Sequence, residues 1–228
     1  MEQEVLNSIS SYLSKLLRKN FGKGPQSCQS IVYKRIFVAY IRGFISPMEE
    51  VLMEQGQSVQ VERARSVIIN HVLDQLKGVV EVSLKCEIEE RYHDWNFPNN
   101  SGMIIFKLDQ EMSGDHHLPQ QVNVEELEKE VARISLLVQK APDIINIYPV
   151  SSTLYVIERK GILIPIEKAL IAKGFEEELR VTKDELEKKY FHRYGKYEQI
   201  FFRDVKEVFI DWCFKEDKSL MGFIINEK

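Results

Sequence analysis

An internal repeat constrains the fold of this chain more than any other feature of its sequence. A segment rich in turn and helix-start residues recurs 118 residues later, and such self-similarity is typical of duplicated folding units. The recurring positions are Gly43, Pro47, Glu49, Leu52 and Gly56, which return as Gly161, Pro165, Glu167, Leu170 and Gly174. Asp94-Trp95 returns as Asp211-Trp212 after 117 residues, so the second copy lacks one residue before this point. The sequence therefore predicts two copies of one unit.

The segment between the copies has no apolar periodicity, and it predicts a linker at residues 110–121. The first copy then occupies residues 1–109, and a second, diverged copy occupies residues 122–228. We expect the two copies to superimpose as one fold. We also expect cleavage of the linker to leave both halves folded, because linkers carry few buried contacts.

Apolar periodicity predicts the same order of elements in each copy: a helix, two strands, helices and two more strands. The first helices are predicted from apolar stripes at Val5, Ile9, Leu13, Leu16 and Leu17, and at Val124, Leu127, Val131, Ile134 and Val138. Strands are predicted near residues 29–35, 36–45, 79–93 and 102–108, and near 146–150, 153–164, 196–210 and 220–226. Strands adjacent in sequence usually pair, so the expected fold class is α+β, with a mostly antiparallel four-stranded sheet and helices on one face of it in each copy.

Helix starts are predicted where capping residues precede apolar stripes. Ser46 can accept from a free backbone N–H, Pro47 suits the first turn, and Glu49 can close a capping box. Ile164 replaces this serine in copy two, so that helix start should be weaker by ~1 kcal/mol. The next helix of copy one is predicted from Val61, Ala64, Ile68, Val72 and Leu76. Its counterpart is predicted from a capping box at Thr182 and Glu185, ahead of Leu186, Tyr190 and Tyr194.

Composition and charge exclude several classes of function. A net charge of −4 and a pI near 5.8 provide no basic field for a phosphate backbone, so nucleic-acid binding is not expected. No apolar run approaches the roughly 18 to 20 residues that span a bilayer, and the acidic start does not fit a signal peptide. The three cysteines lie far apart, which predicts neither a zinc site nor a disulfide framework. A cytoplasmic protein is therefore expected.

The segment Gly22-Lys23-Gly24 is the part of the chain most similar to a phosphate-binding loop. Such a loop needs Ser or Thr after its lysine and precedes a helix, whereas Gly24 follows Lys23 here and the segment comes after a helix. A glycine helix stop followed by a turn is the favoured interpretation. The three residues nevertheless remain candidates for a binding site.

The two Asp-Trp pairs are the most distinctive repeated residues. A tryptophan ring beside a carboxylate can line a binding cleft, which makes Asp94, Trp95, Asp211 and Trp212 binding candidates. In the favoured alternative, each tryptophan fills the core at the end of a strand while the aspartate opens the following turn. This interpretation predicts that both indole rings are buried.

The sequence predicts no metal, no cofactor and no catalytic residues. Asp115, His116 and His117 lie in the predicted linker, where adjacent side chains rarely converge on one ion. The histidines and cysteines of copy one have no counterparts in copy two, and no base is visibly paired with a nucleophile. We therefore expect that the protein is not an enzyme.

The glycine loop, the Gly-x-x-x-Pro-x-Glu step and the Glu-rich helix that follows are the residues that carry a family resemblance. Through Phe21–Pro25, Gly43–Glu49 and the helix up to Gly78, the chain resembles the MpsC-like family of small bacterial proteins. The best match is residues 6–108, and residues 122–227 are similar to a diverged second domain of the same type. The resemblance implies a cytoplasmic accessory role in a sodium-translocating, membrane-potential-generating system linked to inorganic-carbon uptake, whose membrane subunits are separate proteins. It supplies no catalytic residues.

Two classes of function follow from these features. The first is a non-enzymatic accessory or binding protein, with membrane transport subunits as partners and homo-oligomerisation left open. The alternative is a small-ligand sensor or an unrecognised enzyme that uses a cleft between the two copies, because ligand sites favour domain interfaces.

Overall fold

A computed structural model describes residues 3–112 and 122–226, which form two compact units. The first unit comprises residues 3–91 and 95–112, and the second comprises residues 92–94 and 122–226. Of the predicted linker, only residues 110–112 are described. The histidine pair and its neighbouring aspartate, Asp115 to His117, lie outside the described residues.

The first unit has the predicted order of elements and a four-stranded antiparallel sheet. Its elements are α1 (Gln3–Phe21), β1 (Ser27–Tyr33), β2 (Ile36–Arg42), α2 (Pro47–Glu54), α3 (Ser58–Leu84), β3 (Ile88–Asn96) and β4 (Ser101–Leu108). The strand order is β1-β2-β4-β3, and Ile36 lies opposite Lys107 in the central pair. Helices α1 and α3 pack together, and their apolar stripes form one core with the facing side chains of the sheet.

The second unit repeats this topology. Its elements are α4 (Val124–Val138), β5 (Ile144–Pro149), β6 (Leu154–Lys160), α5 (Pro165–Ala172), α6 (Glu176–Tyr194), α7 (Glu198–Phe201), β7 (Val205–Cys213), a 3-10 turn (Phe214–Glu216) and β8 (Lys218–Ile225). The strand order is β5-β6-β8-β7, which matches that of the first unit. The predicted α+β class, with tandem four-stranded antiparallel sheets, is confirmed.

The predicted start of the third strand in each unit is wrong. Helix α3 continues to Leu84, and β3 begins only at Ile88. The β-branched residues at 79–82 indicated a strand, but Val80 and Leu84 extend the buried helical stripe of Leu76, and this packing overrides local propensity. In the second unit, the short helix α7 occupies part of the predicted strand, and β7 begins at Val205.

The predicted stripes of the long helices also need correction. In α3 the buried stripe includes Val61, Arg65, Ile69, Val72 and Leu76, whereas Ala64 is exposed. Helix α6 begins at Glu176, so Thr182 is not a cap; its hydroxyl donates to the Glu178 carbonyl at 2.7 Å. The buried stripe of α6 is Leu179, Lys183, Glu187 and Phe191. Charged residues therefore occupy core positions that an apolar pattern cannot reveal.

Candidate functional site

The loop after β2 is fixed by one side chain in the first unit. The chain turns at Gly43, which has φ of +67°. The Asn100 side-chain oxygen then accepts from the backbone N–H groups of Phe44 and Ile45 at 2.8 and 2.9 Å. These bonds fix the backbone directly before Ser46, the residue that caps α2.

The second unit uses a carboxylate at the same point. Gly161 has φ of +66°, and Asp217 Oδ1 accepts from the backbone of Ile162 and Leu163, both at 2.7 Å. Lys168 Nζ lies 2.9 Å from the other oxygen of Asp217. Burial alone would raise the pKa of Asp217, but Lys168 and the two backbone donors outweigh it and hold this pKa below its usual value.

A buried ion pair joins α2 to α3 in the first unit. Glu49 Oε2 accepts from the Ser46 backbone and hydroxyl, both at 2.8 Å, which confirms the predicted capping box. Arg65 Nη2, from α3, donates to both Glu49 oxygens at 2.5 and 2.6 Å. The Arg65 side chain is 0% exposed, so this charge depends on Glu49 for its neutralisation.

Aromatic rings enclose the rest of the Arg65 guanidinium. Its central carbon lies 4.4 Å from the ring centre of Phe21, 4.2 Å from that of Phe44 and 5.0 Å from that of Trp95. Arg65 Nε and Nη1 are buried and have no hydrogen-bond acceptor among the described residues. The electron-rich ring faces take the place of these acceptors. Burial lowers the pKa of Arg65, and Glu49 opposes this effect.

The predicted loop Gly22-Lys23-Gly24 lies beside this ion pair, but its lysine is used internally. Gly22 has φ of +73° directly after α1, which confirms the helix stop. Lys23 Nζ donates to the Ile45 carbonyl at 2.9 Å, tying the loop to the segment before α2. A Cβ at Gly24 would lie 3.0 Å from Arg18 Nε, so the loop also packs closely against α1.

Trp95 is a core residue, as predicted. It is 7% exposed, and its ring centre lies 4.6 Å from that of Phe44. A Cβ at Gly102 would lie 2.1 Å from the indole, so only glycine fits beneath the ring. The structure therefore brings Trp95 and Phe21, the residue directly before the glycine loop, to the same guanidinium. Asp94 lies within β3, two residues before its end, so the prediction that it opens the turn is wrong.

The second Asp-Trp pair has a similar position and different contacts. Trp212 is 4% exposed and stacks on Phe214, with ring centres 6.2 Å apart. Asp211 again lies inside its strand, β7, and accepts from the guanidinium of Arg180 and from the Trp212 backbone N–H. Arg180 also lies over the Phe214 ring, 4.9 Å from its centre.

The second unit replaces the aromatic surroundings of the ion pair by a polar network. Lys183 stands at the repeat position of Arg65 and donates to Glu167 Oε1 at 2.8 Å and to Gln139 Oε1. Its ammonium also lies 3.0 Å from Glu187 Oε1, close enough for an ion pair but without hydrogen-bond geometry. Glu187 Oε2 accepts from Arg159 Nη2 at 2.6 Å.

Arg159 completes the network from the sheet. It donates to Ser135 Oγ at 3.1 Å and to Ser219 Oγ at 2.9 Å. Burial alone would raise the pKa of Glu187, but Arg159 and Lys183 hold this pKa below its usual value. The repeat positions of Arg159, Glu187 and Ser135 in the first unit are the buried aliphatic residues Ile41, Ile69 and Leu17.

The Glu49–Arg65 pair and the network around Lys183, here called the two charge centres, are both closed to solvent. The side chains of Arg65, Arg159 and Glu187 are 0 to 1% exposed, so a substrate cannot reach them without opening the core. Their evident role is to hold α2 and α5 against the long helices. Sequence reasoning missed Arg65, Lys183, Glu187 and Arg159, although the 118-residue offset from Arg65 to Lys183 would have indicated the first two.

The second unit also has a cavity of about 320 Å³ at the end of α6 and the start of β7. Lys196, Tyr197 and Asp204 contribute to its lining. Gly195 is required there, because a Cβ would lie 1.9 Å from the Tyr197 ring. Among the described residues, no group of three His, Cys, Asp or Glu side chains could hold a metal ion.

Comparisons with known proteins assign the first half of the chain. Residues 2–110 match the family model described as Na+-translocating membrane potential-generating system (MpsC). The resemblance is thereby confirmed for the first copy, while the second copy lies outside the match. No curated protein and no solved structure matches the chain. None of the helices in residues 3–112 and 122–226 combines the length and the apolar character that a membrane-spanning segment requires.

Proposed function

Because residues 2–110 belong to the MpsC family, we propose that the protein is a non-enzymatic accessory that binds protein partners of a membrane sodium-translocating system. The family description is the observation that carries this proposal. Under this proposal, separate membrane subunits carry the sodium ion, and this chain works in the cytoplasm at the periphery of the membrane. A link to inorganic-carbon transport belongs to the same proposal.

The closed charge centres support a binding role over catalysis. Glu49 and Arg65 form the buried ion pair of the unit that matches the family model. They bind each other, and Glu49 also accepts from the backbone at the start of α2. Lys23 is likewise committed to a backbone carbonyl. These contacts hold the first unit rigid, so its surface is already ordered before a partner binds. Such preorganisation lowers the entropic cost of binding.

The test is made in the native host. We expect deletion of the gene to reduce the sodium-dependent membrane potential, measured with a voltage-sensitive dye, and the full-length chain to restore it. We also expect a tagged chain, cross-linked in intact cells, to co-purify with subunits of a sodium transporter. An unchanged potential together with recovery of the tagged chain free of membrane subunits would overturn the proposal.

A small-ligand sensor is the second candidate, and the cavity beside Tyr197 is the observation that favours it. Its volume of about 320 Å³ lies in the range of small-molecule sites. The test is a thermal-shift screen with nucleotides and organic acids. A ligand of this cavity should raise the melting temperature saturably in wild type and in Lys129→Ala, an exposed-lysine control on α4, but not in Lys196→Ala. The absence of a saturable shift would remove this candidate.

A further inference from the structure

The short helices α2 and α5 occupy equivalent places in the two units but carry opposite exposed charges. On α2, Met48 is 72% exposed and Val51 is 58% exposed. Glu50 and Glu54 are exposed beside them. The outer face of α2 is therefore an apolar strip bordered by two carboxylates.

The outer face of α5 has the reverse charge. Ile166, at the repeat position of Met48, is 62% exposed, and the small residue Ala169 is exposed one turn later. Lys168 stands where α2 has Glu50, and Lys173, directly after the helix, stands where the first unit has the neutral Gln55. This face is an apolar strip bordered by two ammonium groups.

We propose that the α2 face of one molecule binds the α5 face of a second copy of this chain. Glu50 and Glu54 would oppose Lys168 and Lys173, and the small Ala169 leaves room for the long Met48 side chain. Pairing of α2 with α2 would instead bring four carboxylates together, which like-charge repulsion disfavours. The contact is heterologous, so it either closes between a few copies or extends along a chain of them.

The size and charge of the two faces predict a weak association. Two eight-residue helices bury much less than the roughly 1,200 to 2,000 Å² of a stable interface. Lys168 already shares its charge with Asp217, 2.9 Å away. The glutamates that open α6 follow α5 closely and reduce its basic character, although Glu176 lies 3.6 Å from Arg180. Salt should therefore dissociate the contact readily.

Charge reversal tests the pairing in the full-length chain. One variant carries Glu50→Lys and Glu54→Lys, and the other carries Lys168→Glu and Lys173→Glu. In sedimentation equilibrium we expect the average mass of wild type to rise with protein concentration, and each variant alone to stay monomeric. An equal mixture of the two variants should associate, because the basic α2 of one then meets the acidic α5 of the other. Circular dichroism melting checks that each variant is folded.

A second variant pair controls for net charge. Glu128→Lys with Glu185→Lys changes the net charge by the same amount as the α2 variant, on exposed positions of α4 and α6, and it should associate like wild type. The proposal is overturned if wild type stays monomeric at low salt up to several hundred micromolar. It is also overturned if the two charge-reversed variants associate separately or fail to associate when mixed. These outcomes leave the proposed role in sodium translocation unaffected, since that role does not require self-association.

Discussion

The two units hold their short helices with the same kind of ion pair, but they surround its cation differently. Arg65 has more N–H donors than Glu49 can accept, and aromatic rings cover the remainder. Lys183 presents a compact ammonium, and side-chain oxygens from Glu167 and Gln139 surround it. Each cation thus has the environment that suits its shape, because a planar guanidinium stacks on rings whereas an ammonium is a point charge.

The buried charges of the second unit also depend on one another. Lys183 in the second unit lies near a second buried carboxylate, Glu187, and that carboxylate needs Arg159 for neutralisation. A single one of these replacements in an aliphatic core would leave an unpaired buried charge, which costs several kcal/mol. The second unit therefore carries the set together, with Ser135 and Ser219 as additional acceptors.

The largest loss in the free energy of unfolding is expected when either tryptophan is replaced by alanine. The two units should differ here because the two rings have different neighbours. Trp95→Ala should cost about 3 to 5 kcal/mol and lie at the upper end, because Trp95 packs on both Phe44 and the Arg65 guanidinium. Trp212→Ala should cost less within the same range, since its ring stacks on Phe214 at the longer centre-to-centre distance of 6.2 Å. Urea unfolding followed by circular dichroism measures both.

Partner binding decides between the two interpretations of the Asp-Trp pairs. If a tryptophan variant melts like wild type yet loses binding to its partner, the residue belongs to a binding site. The matched probe is Gly102→Ala, whose added methyl group would meet the Trp95 ring and should destabilise the protein without removing any polar group.

Glu187→Ala tests the polar network and should cost about 3 kcal/mol or more. The substitution leaves Arg159 and part of the Lys183 charge buried without compensation. Glu178→Ala, at an exposed position of the same helix, is the control and should change the free energy of unfolding little. A cost below about 1 kcal/mol for Glu187→Ala would mean that water or rearrangement compensates the network.

The acid dependence of stability follows from the same carboxylate. The pKa of Glu187 is lowered in the folded state, so its contribution is fully present above the unfolded value of about 4.5 and is lost as the pH falls through the lower, folded pKa. The difference in unfolding free energy between wild type and Glu187→Gln should therefore shrink below about pH 4.5. A difference that stays constant down to pH 3 would contradict this assignment.

The sequence predicted the architecture of both units because turn and cap residues fix a local chain path. Gly43, Gly56 and Ser46 each have a backbone reason to stand where they do, and their repetition predicted the shared topology. The charge centres were not predicted, because a charged side chain such as Arg65 or Glu187 does not count toward an apolar stripe, even where its helical position lies on the buried face. Only the three-dimensional neighbours, such as Phe44 or Arg159, make these core positions acceptable.

Exchange of the two cations should have an intermediate effect. Arg65→Lys keeps the charge but loses the planar guanidinium and with it much of the ring stacking, which should cost about 1 to 2 kcal/mol. Adding Phe21→Gln, the second unit's residue at that position, supplies the ammonium with an oxygen. The double variant should then lose less free energy of unfolding than the sum of the single variants, and simple additivity would argue against coupling.

The smallest effect is expected at the helix starts, where the two units differ in a single side chain. Ser46 Oγ lies 3.4 Å from the Glu49 backbone N–H and donates to Glu49 Oε2 at 2.8 Å, so Ser46→Ala should cost about 1 kcal/mol. Ile164 has no side-chain acceptor, and Glu167 Oε2 alone accepts from its backbone at 2.9 Å. Ile164→Ser should therefore recover less than about 1 kcal/mol at α5, because the new cap is offset by lost apolar burial.

Since each unit has one tryptophan, Trp212→Phe and Trp95→Phe backgrounds let fluorescence follow the first and second unit separately. The last comparison is between Ser46→Ala in the first unit and Ile164→Ala in the second. If both substitutions lower the free energy of unfolding of their unit equally, the serine cap adds nothing beyond side-chain packing.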